Sequence, residues 1–252
     1  MRSLRTHLAI LRFRLRGHTF HARPLGWFAS RLEQGEPFSF ARYGDGEWNA
    51  ILGVAGANCD GHQYFPELSR DLEAALRAPG RYQFGVQPLA LKVMGDRIHQ
   101  WCQANKVSVA WCDADVLHDA NKAGRLLPLV KALRRHPVVL VGPPHLASLD
   151  AALFPVARFI QIPAKDCSLE KARILAEVTA ALEQATAPTV VAFSASMLAN
   201  VLIHELFPRF GGRHWLLDLG SLWDVYAGVR SRGVYQDRDW ARLIARNTGA
   251  AG

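Results

Sequence analysis

The chain has 252 residues, half of them hydrophobic and a tenth aromatic, enough to bury one core and too apolar for a disordered chain. No apolar run approaches the ~20 residues that cross a bilayer, and Arg5, Arg12, Arg14 and Arg16 interrupt any leader-peptide core. The net charge of +8 favours anionic partners, while Cys59, Cys102, Cys112 and Cys167 form no Cys-X-X-Cys pair and read as buried, reduced thiols of a cytoplasmic protein.

Much of the charge lies in residues 1–23, where Arg2, Arg5, Arg12, Arg14, Arg16 and Arg23 are met by no acid. Leu4, Leu8, Ile10, Leu11, Phe13 and Leu15 are interspersed. Two readings stand: a basic amphipathic helix on an anionic membrane surface, or a basic arm packed on the domain or frayed. No DNA- or RNA-binding motif accompanies the charge, so nucleic acid is not an expected partner. Residues 24–34 read as a helix begun by Pro24 and stopped by Gly35. Residues 38–43 read as a buried strand, and 47–52 as a helix with Trp48, Ile51 and Leu52 on one face. Residues 66–78 form an amphipathic pattern through Leu68, Leu72, Ala75 and Leu76, ended by Pro79-Gly80.

Strands are then expected at 82–86, 107–111, 138–141, 158–162, 189–193 and 214–219. Helices are expected between them at 89–104, within 113–135 with a break near Pro128, and at 145–153, 168–184 and 195–206. The strands are apolar runs that alternate with helices. That predicts a Rossmann-like α/β fold with a mostly parallel sheet, helices on both faces and right-handed crossovers. One domain over residues 24–246 and a loose tail over 247–252 follow.

The most informative stretch is the turn after the first strand, Ala41-Arg42-Tyr43-Gly44-Asp45-Gly46-Glu47. Asp45 and Glu47 are two carboxylates one residue apart, each preceded by a glycine, at the strand end where open α/β sheets bind ligands. Gly44 and Gly46 permit unusual backbone conformations and remove side-chain bulk. Close carboxylates repel unless a counter-charge is present, and Mg²⁺ or Mn²⁺ is a natural one. Arg42 is placed to contact phosphate. The alternative is a turn of solvated acids with a structural arginine.

Other residues just past the strands are Gln87, Cys112, Asp113, Gly142, Ala164 to Asp166, Ser194 and Gly220 to Asp224, which would share one rim. Asp113 and Asp166 read as caps or as site groups, and so do Ser194 and Ser196 as caps or phosphate donors. Asp218 lies within a strand and needs a partner if buried. His118 with Asp119 is a conceivable base, although structural or solvated histidines are the simpler account. No Gly-X-Gly-X-X-Gly after a strand, Walker loop, His-Glu-X-X-His or Gly-X-Ser-X-Gly is present.

The 41–47 segment resembles the signature of the GT-D-type glycosyltransferases, an Arg-aromatic-Gly-Asp-Gly-Glu run after the first strand. Residues 190–200, with Leu216-Leu217-Asp218-Leu219-Gly220-Ser221, are similar to the closing strand–helix–strand unit of that family. Ser194-Ala195-Ser196 stands where the family often has a glycine. The resemblance implies a metal-dependent transferase using a nucleotide diphosphate sugar, with a uridine nucleotide expected. Asp45 and Glu47 would hold Mn²⁺ or Mg²⁺, and Asp45, Glu47 and Asp218 would serve catalysis. Arg42, Gly44, Gly46, Asp113, Ser194, Ser196, Gly220 and Asp224 would bind substrate. The acceptor would be a glycan, a lipid-linked group or a protein. An inverting reaction would also need a base near the acceptor hydroxyl, for which Asp113, His118, Asp218 and Asp224 are all conceivable. A metal-dependent phosphohydrolase or nucleotidyltransferase, or a non-catalytic domain binding anionic glycans or membranes, remains open beside it.

Overall fold

The computed structural model describes residues 4–149 and 153–250, with all of their side chains except those of Leu4 and Arg5. Arg2, residues 150–152 of the helix expected at 145–153 and residues 251–252 of the expected tail lie outside the described residues. The strands are β1 (Ser39–Tyr43), β2 (Gln83–Val86), β3 (Trp111–Asp113), β4 (Val138–Gly142), β5 (Val156–Gln161), β6 (Val190–Phe193) and β7 (Trp215–Asp218). They form one seven-stranded sheet in the order β3-β2-β1-β7-β6-β4-β5, and every pairing is parallel. The expected Rossmann-like α/β architecture is therefore what the chain adopts. The chain starts at the centre, runs out to β3, crosses to β4 and β5, and returns inward through β6 to β7. The order reverses at β1 and β7, which is where such sheets open a crevice at their C-terminal ends.

The helices are α1 (Leu4–Leu15), α2 (Leu25–Glu33), α3 (Asp45–Ile51), α4 (Pro66–Arg77), α5 (Pro88–Ala104), α6 (Val116–Lys122), α7 (Leu127–Leu133), α8 (Lys171–Glu183), α9 (Leu198–Phe210) and α10 (Trp240–Thr248). Successive strand residues point to opposite faces. Tyr43, Val86, Val141, Phe193 and Leu216 pack on one face with Trp48, Leu72, Ile98, Val178 and Leu202 of α3, α4, α5, α8 and α9. Phe40, Leu140, Ala192 and Leu217 pack on the other with Phe28, Leu117 and Leu129 of α2, α6 and α7. Both faces are covered, so both sets of strand residues are apolar, and the strands read as runs rather than as alternations.

Three expectations are corrected. The third strand is Trp111–Asp113, not 107–111. A strand exists only where a neighbour can pair with it. The register Phe84↔Trp111 places residues 107–109 before the start of β2, so their apolar run has no partner. The basic segment does not lie outside the domain expected from residue 24: it packs on it, as one of the two readings had it. Phe13 of α1 is 2% exposed in the main core, and its ring stacks on His18 with centroids 3.8 Å apart. Residues 19–21 then run beside β3, where the Trp111 amide donates to Thr19 O and the His21 amide donates to Trp111 O. The tail is not loose from residue 247. Helix α10 continues through Thr248, and Asn247 is fully buried.

Among the described residues, no helix is long and apolar enough to cross a membrane. Asn247 is the rivet of the C-terminal helix. Its Oδ1 accepts from the Leu126 amide at 2.8 Å, and its Nδ2 donates to Asn121 O at 3.0 Å and to Asn121 Oδ1 at 2.7 Å. Replacement by Ala leaves those buried partners unsatisfied. Asn247→Ala is expected to lower unfolding free energy by about 1–3 kcal/mol in urea denaturation; an unchanged midpoint would show that α10 is not needed for stability.

Candidate active site

The site starts from a pairing problem in β1. Strand β2 accompanies β1 through Tyr43, but β7 pairs with it only at Ser39 and Phe40. At Arg42 the backbone therefore lacks a strand on the β7 side. Asn200 of α9, fully buried, takes that place. The Arg42 amide donates to Asn200 Oδ1 at 2.9 Å, and Asn200 Nδ2 donates to Arg42 O at 2.7 Å. One side-chain amide supplies both halves of a strand's pairing, as buried backbone groups require.

The Arg42 guanidinium is aimed by the same anchoring. Its Nε donates to Ala114 O at 2.9 Å. Nη1 lies 3.8 Å from Asp218 Oδ1 and Nη2 lies 3.9 Å from Asp115 Oδ1. Both distances exceed a hydrogen bond, so the pairings are electrostatic and the outer N–H groups keep donor capacity. Gly220 sits against this group with φ +51, and a Cβ there would stand 2.6 Å from Nη1. The position demands glycine both for its left-handed backbone and for the space. The Gly220 amide donates to Asp218 Oδ1 at 3.0 Å. Asp115 is fixed in turn by Asp113, whose Oδ1 accepts from the Asp115 amide at 2.9 Å, and by Gln87, whose Nε2 donates to Asp115 Oδ1 at 3.3 Å.

The two motif acids occupy the first turn of α3, with Gly44 as its N-cap. Asp45 is exposed. Glu47 reaches back so that its Oε2 accepts from the Gly44 amide at 2.7 Å, the return bond of a capping box. Gly44 has φ −98, an ordinary value, so it is not there for conformational freedom. A Cβ on it would lie 3.1 Å from Gln87 Oε1, and one on Gly46 would lie 3.3 Å from Asn58 Cβ. The two glycines clear space for close packing, which is the second of the two roles expected of them.

Negative charge outweighs positive charge here. Burial, with Asp218 nearby, pushes Glu47 up to about 7. Burial raises Asp218 to about 6 despite the pull of Arg42. Asp115 is also raised by burial, again against Arg42. His118 is held well below its ordinary value by burial and then by Arg42, Lys122 and Arg232, so its imidazole is neutral. Its Nδ1 is buried without a hydrogen-bond partner. Among the described residues, no group of three or more His, Cys, Asp or Glu is arranged to hold a metal ion. The donor set suits a hard divalent cation that takes two carboxylates from the protein and its remaining oxygens from a phosphate ligand.

Other expected residues are placed differently. Neither Ser194 nor Ser196 caps α9, whose N-cap is Met197. Ser196 has φ +49, the left-handed conformation that glycine favours, at the turn where the sequence lacks a glycine. Its Oγ accepts from Asn58 Nδ2 at 2.8 Å. Ser194 Oγ is buried without a partner. Asp166 stands at the N-cap position of the turn Cys167–Glu170, but its side chain does not cap it: Oδ1 accepts from the Gln63 amide at 2.7 Å. Asp224 is buried and committed to His145 Nε2 at 3.0 Å and to the Ser231 hydroxyl. The structure thus gathers Arg42, Gly44, Glu47, Asp218 and Gly220 around one end of β1, with Asp113 acting through Asp115. Asp115 and Asn200 carry roles that the sequence reading did not give them. The usable signal for Asn200 was a lone amide in the otherwise apolar run 198–203 that opens the helix.

No protein-family model matches the chain, and no curated protein matches it. Solved structures do share its fold. One is described as a new glycosyltransferase, domain of unknown function 1792, from Streptococcus sanguinis. It superimposes with a TM-score of 0.61 at 16% identity, covering 82% of this chain and 84% of that one. A selenomethionine-substituted structure of the same domain gives 0.60 at 15% identity over 88% of this chain and 84% of that one. A third, described as showing that this domain has a distinct glycosyltransferase fold, gives 0.60 at 14% identity with the same coverages. The fold of this chain is therefore the fold of those proteins.

The raised Asp218 carboxyl links stability to pH. A carboxyl whose folded value exceeds its unfolded one contributes stability in full below the unfolded value near 3.8, and loses it as pH rises through about 6. Asp218→Asn keeps an acceptor for Gly220 and removes the titration. Its stability relative to wild type should therefore improve between pH 4 and pH 7.5, by on the order of 2 kcal/mol. Denaturant titrations at the two pH values measure this, and parallel curves would contradict it.

Proposed function

We propose that the chain is a metal-dependent glycosyltransferase. The donor is a nucleotide diphosphate sugar, with a uridine nucleotide the expected carrier, and the acceptor is a glycan, a lipid-linked group or a protein. One observation carries the reading. Asp45 and Glu47 open the helix after β1, at the C-terminal end of the sheet where the strand order reverses, in a fold shared with a protein described as a glycosyltransferase.

Each residue then has a task. Asp45 is exposed, so its carboxylate is open to a ligand. Glu47 is oriented by the Gly44 amide, so its position is fixed before any ligand arrives. Arg42 has guanidinium N–H groups beyond hydrogen-bond distance of Asp115 and Asp218, ready for a charge-assisted bond to a phosphate oxygen. Mn²⁺ or Mg²⁺ held by Asp45, Glu47 and the diphosphate would offset charge on the departing nucleotide. Asp218 keeps the guanidinium in place, and Gly220 leaves room for it. The buried Ser194 hydroxyl, at the end of β6, is a further donor toward the donor nucleotide.

The test is transfer from radiolabelled UDP-sugars to a panel of acceptors. Asp45→Asn and Glu47→Gln, each folded by circular dichroism, are expected to lower transfer by ~100-fold or more, since each ~1.4 kcal/mol is tenfold. Undiminished transfer in both variants would overturn the roles given to these acids. Equal release of free sugar with and without acceptor would make the protein a hydrolase instead.

A further inference from the structure

Helix α1 buries one stripe and exposes a second. Ala9, Ile10 and Phe13 pack inward. Leu8, Leu11 and Leu15 recur at i, i+3 and i+7, on the opposite side of the helix, and are 43%, 48% and 78% exposed. A surface helix ordinarily turns its single apolar stripe to the core. Around the helix, Arg12 falls on one flank of the leucine stripe and Arg14 on the other. The helix α5, on which α1 packs, continues the pattern: Leu89 and Val93 are one turn apart and 50% and 70% exposed. Lys92 and Arg97 stand exposed on the same helix. Asp96 is the one acid on these two helices, and it is paired with Arg16 at 2.5 Å. A groove of about 590 Å³ runs between the helices, lined by residues of both.

We propose that this α1–α5 face docks on an anionic lipid surface. The aliphatic stripe enters the headgroup and acyl boundary, and the flanking arginines and lysine meet lipid phosphates or carboxylates. The charge and the apolarity are both needed for that occupant. An exposed cationic face alone would serve any polyanion, whereas leucines aimed into solvent are stabilised by hydrocarbon. Single-stranded nucleic acid is recognised by aromatic stacking platforms, and the large apolar side chains exposed here are aliphatic. The surface does not depend on the transferase reading. It begins, however, close to the site: α5 starts directly after Gln87, which holds Asp115, so Leu89 lies within its first turn.

Co-sedimentation of the full chain with lipid vesicles tests the proposal. Vesicles of phosphatidylcholine containing about one third phosphatidylserine should bind the protein, and pure phosphatidylcholine should not. Leu8→Ser/Leu11→Ser/Leu15→Ser and, separately, Arg12→Gln/Arg14→Gln should each weaken binding by ~10-fold or more. Both variants should keep the wild-type melting temperature, because the altered side chains point outward. Absence of wild-type binding to the anionic vesicles would overturn the proposal. So would equal binding by the triple serine variant, or displacement from vesicles by single-stranded DNA with the serine variant binding that DNA as wild type does, since either makes the face a general polyanion surface.

Discussion

The site rests on the way the backbone of Arg42 is satisfied. β7 falls short of the end of β1, and a buried peptide group without a partner costs about 1–3 kcal/mol. Asn200 closes both bonds from across the sheet. Because the strand is held at Arg42, the guanidinium is placed between Asp115 and Asp218. Gly220 then has to lack a side chain, and the peptide that follows Asp218 has to turn through a left-handed conformation. A change at any of these positions acts on the others through Arg42. The β1 turn, the β3 turn and the β7 turn are therefore one unit, although they are distant in the chain.

Charge explains why that unit sits beside a pair of acids. Buried carboxyls with too few counter-charges hold protons more tightly, as Glu47 and Asp218 do. Arg42 is the cation that the structure places between Asp115 and Asp218, and it lies just outside hydrogen-bond range of both. An arrangement satisfied on its own would show short, direct pairs. The spacing seen here supports the proposed ligand, a metal-bound diphosphate, which brings both signs of charge.

The fold was legible in the sequence because its strands are buried on both faces. Val138 to Val141 and Val190 to Phe193 carry their own evidence as apolar runs, and Pro66 and Pro88 mark helix starts. The apolar run at 107–110 misled, because hydrophobicity reports burial and says nothing of whether a neighbour is there to pair. Helix α10 escaped notice: its pattern is carried by a Trp, a Leu and an Ile among arginines, and its anchor is a polar residue, Asn247. In the site, Asp45 and Glu47 announced themselves by local spacing. Asp115 and Asn200 did not, since their roles exist only once the turn after β3 and helix α9 are brought beside Arg42: its side chain bonds to Ala114 O, 72 residues on and next to Asp115, and its amide to Asn200, 158 residues on. The left-handed turn at Ser196 shows the reverse case: a backbone conformation that glycine favours is adopted where the sequence lacks one.

The central claim is that the Gly44–Glu47 turn receives a metal-bound nucleotide diphosphate. Calorimetric titration of UDP into the wild-type protein and into Asp45→Asn, each with and without Mn²⁺, addresses it most directly. The account predicts binding by wild type that needs Mn²⁺ and is lost in the variant. Equal binding by the two proteins, or none by folded wild type in the presence of Mn²⁺, would contradict it.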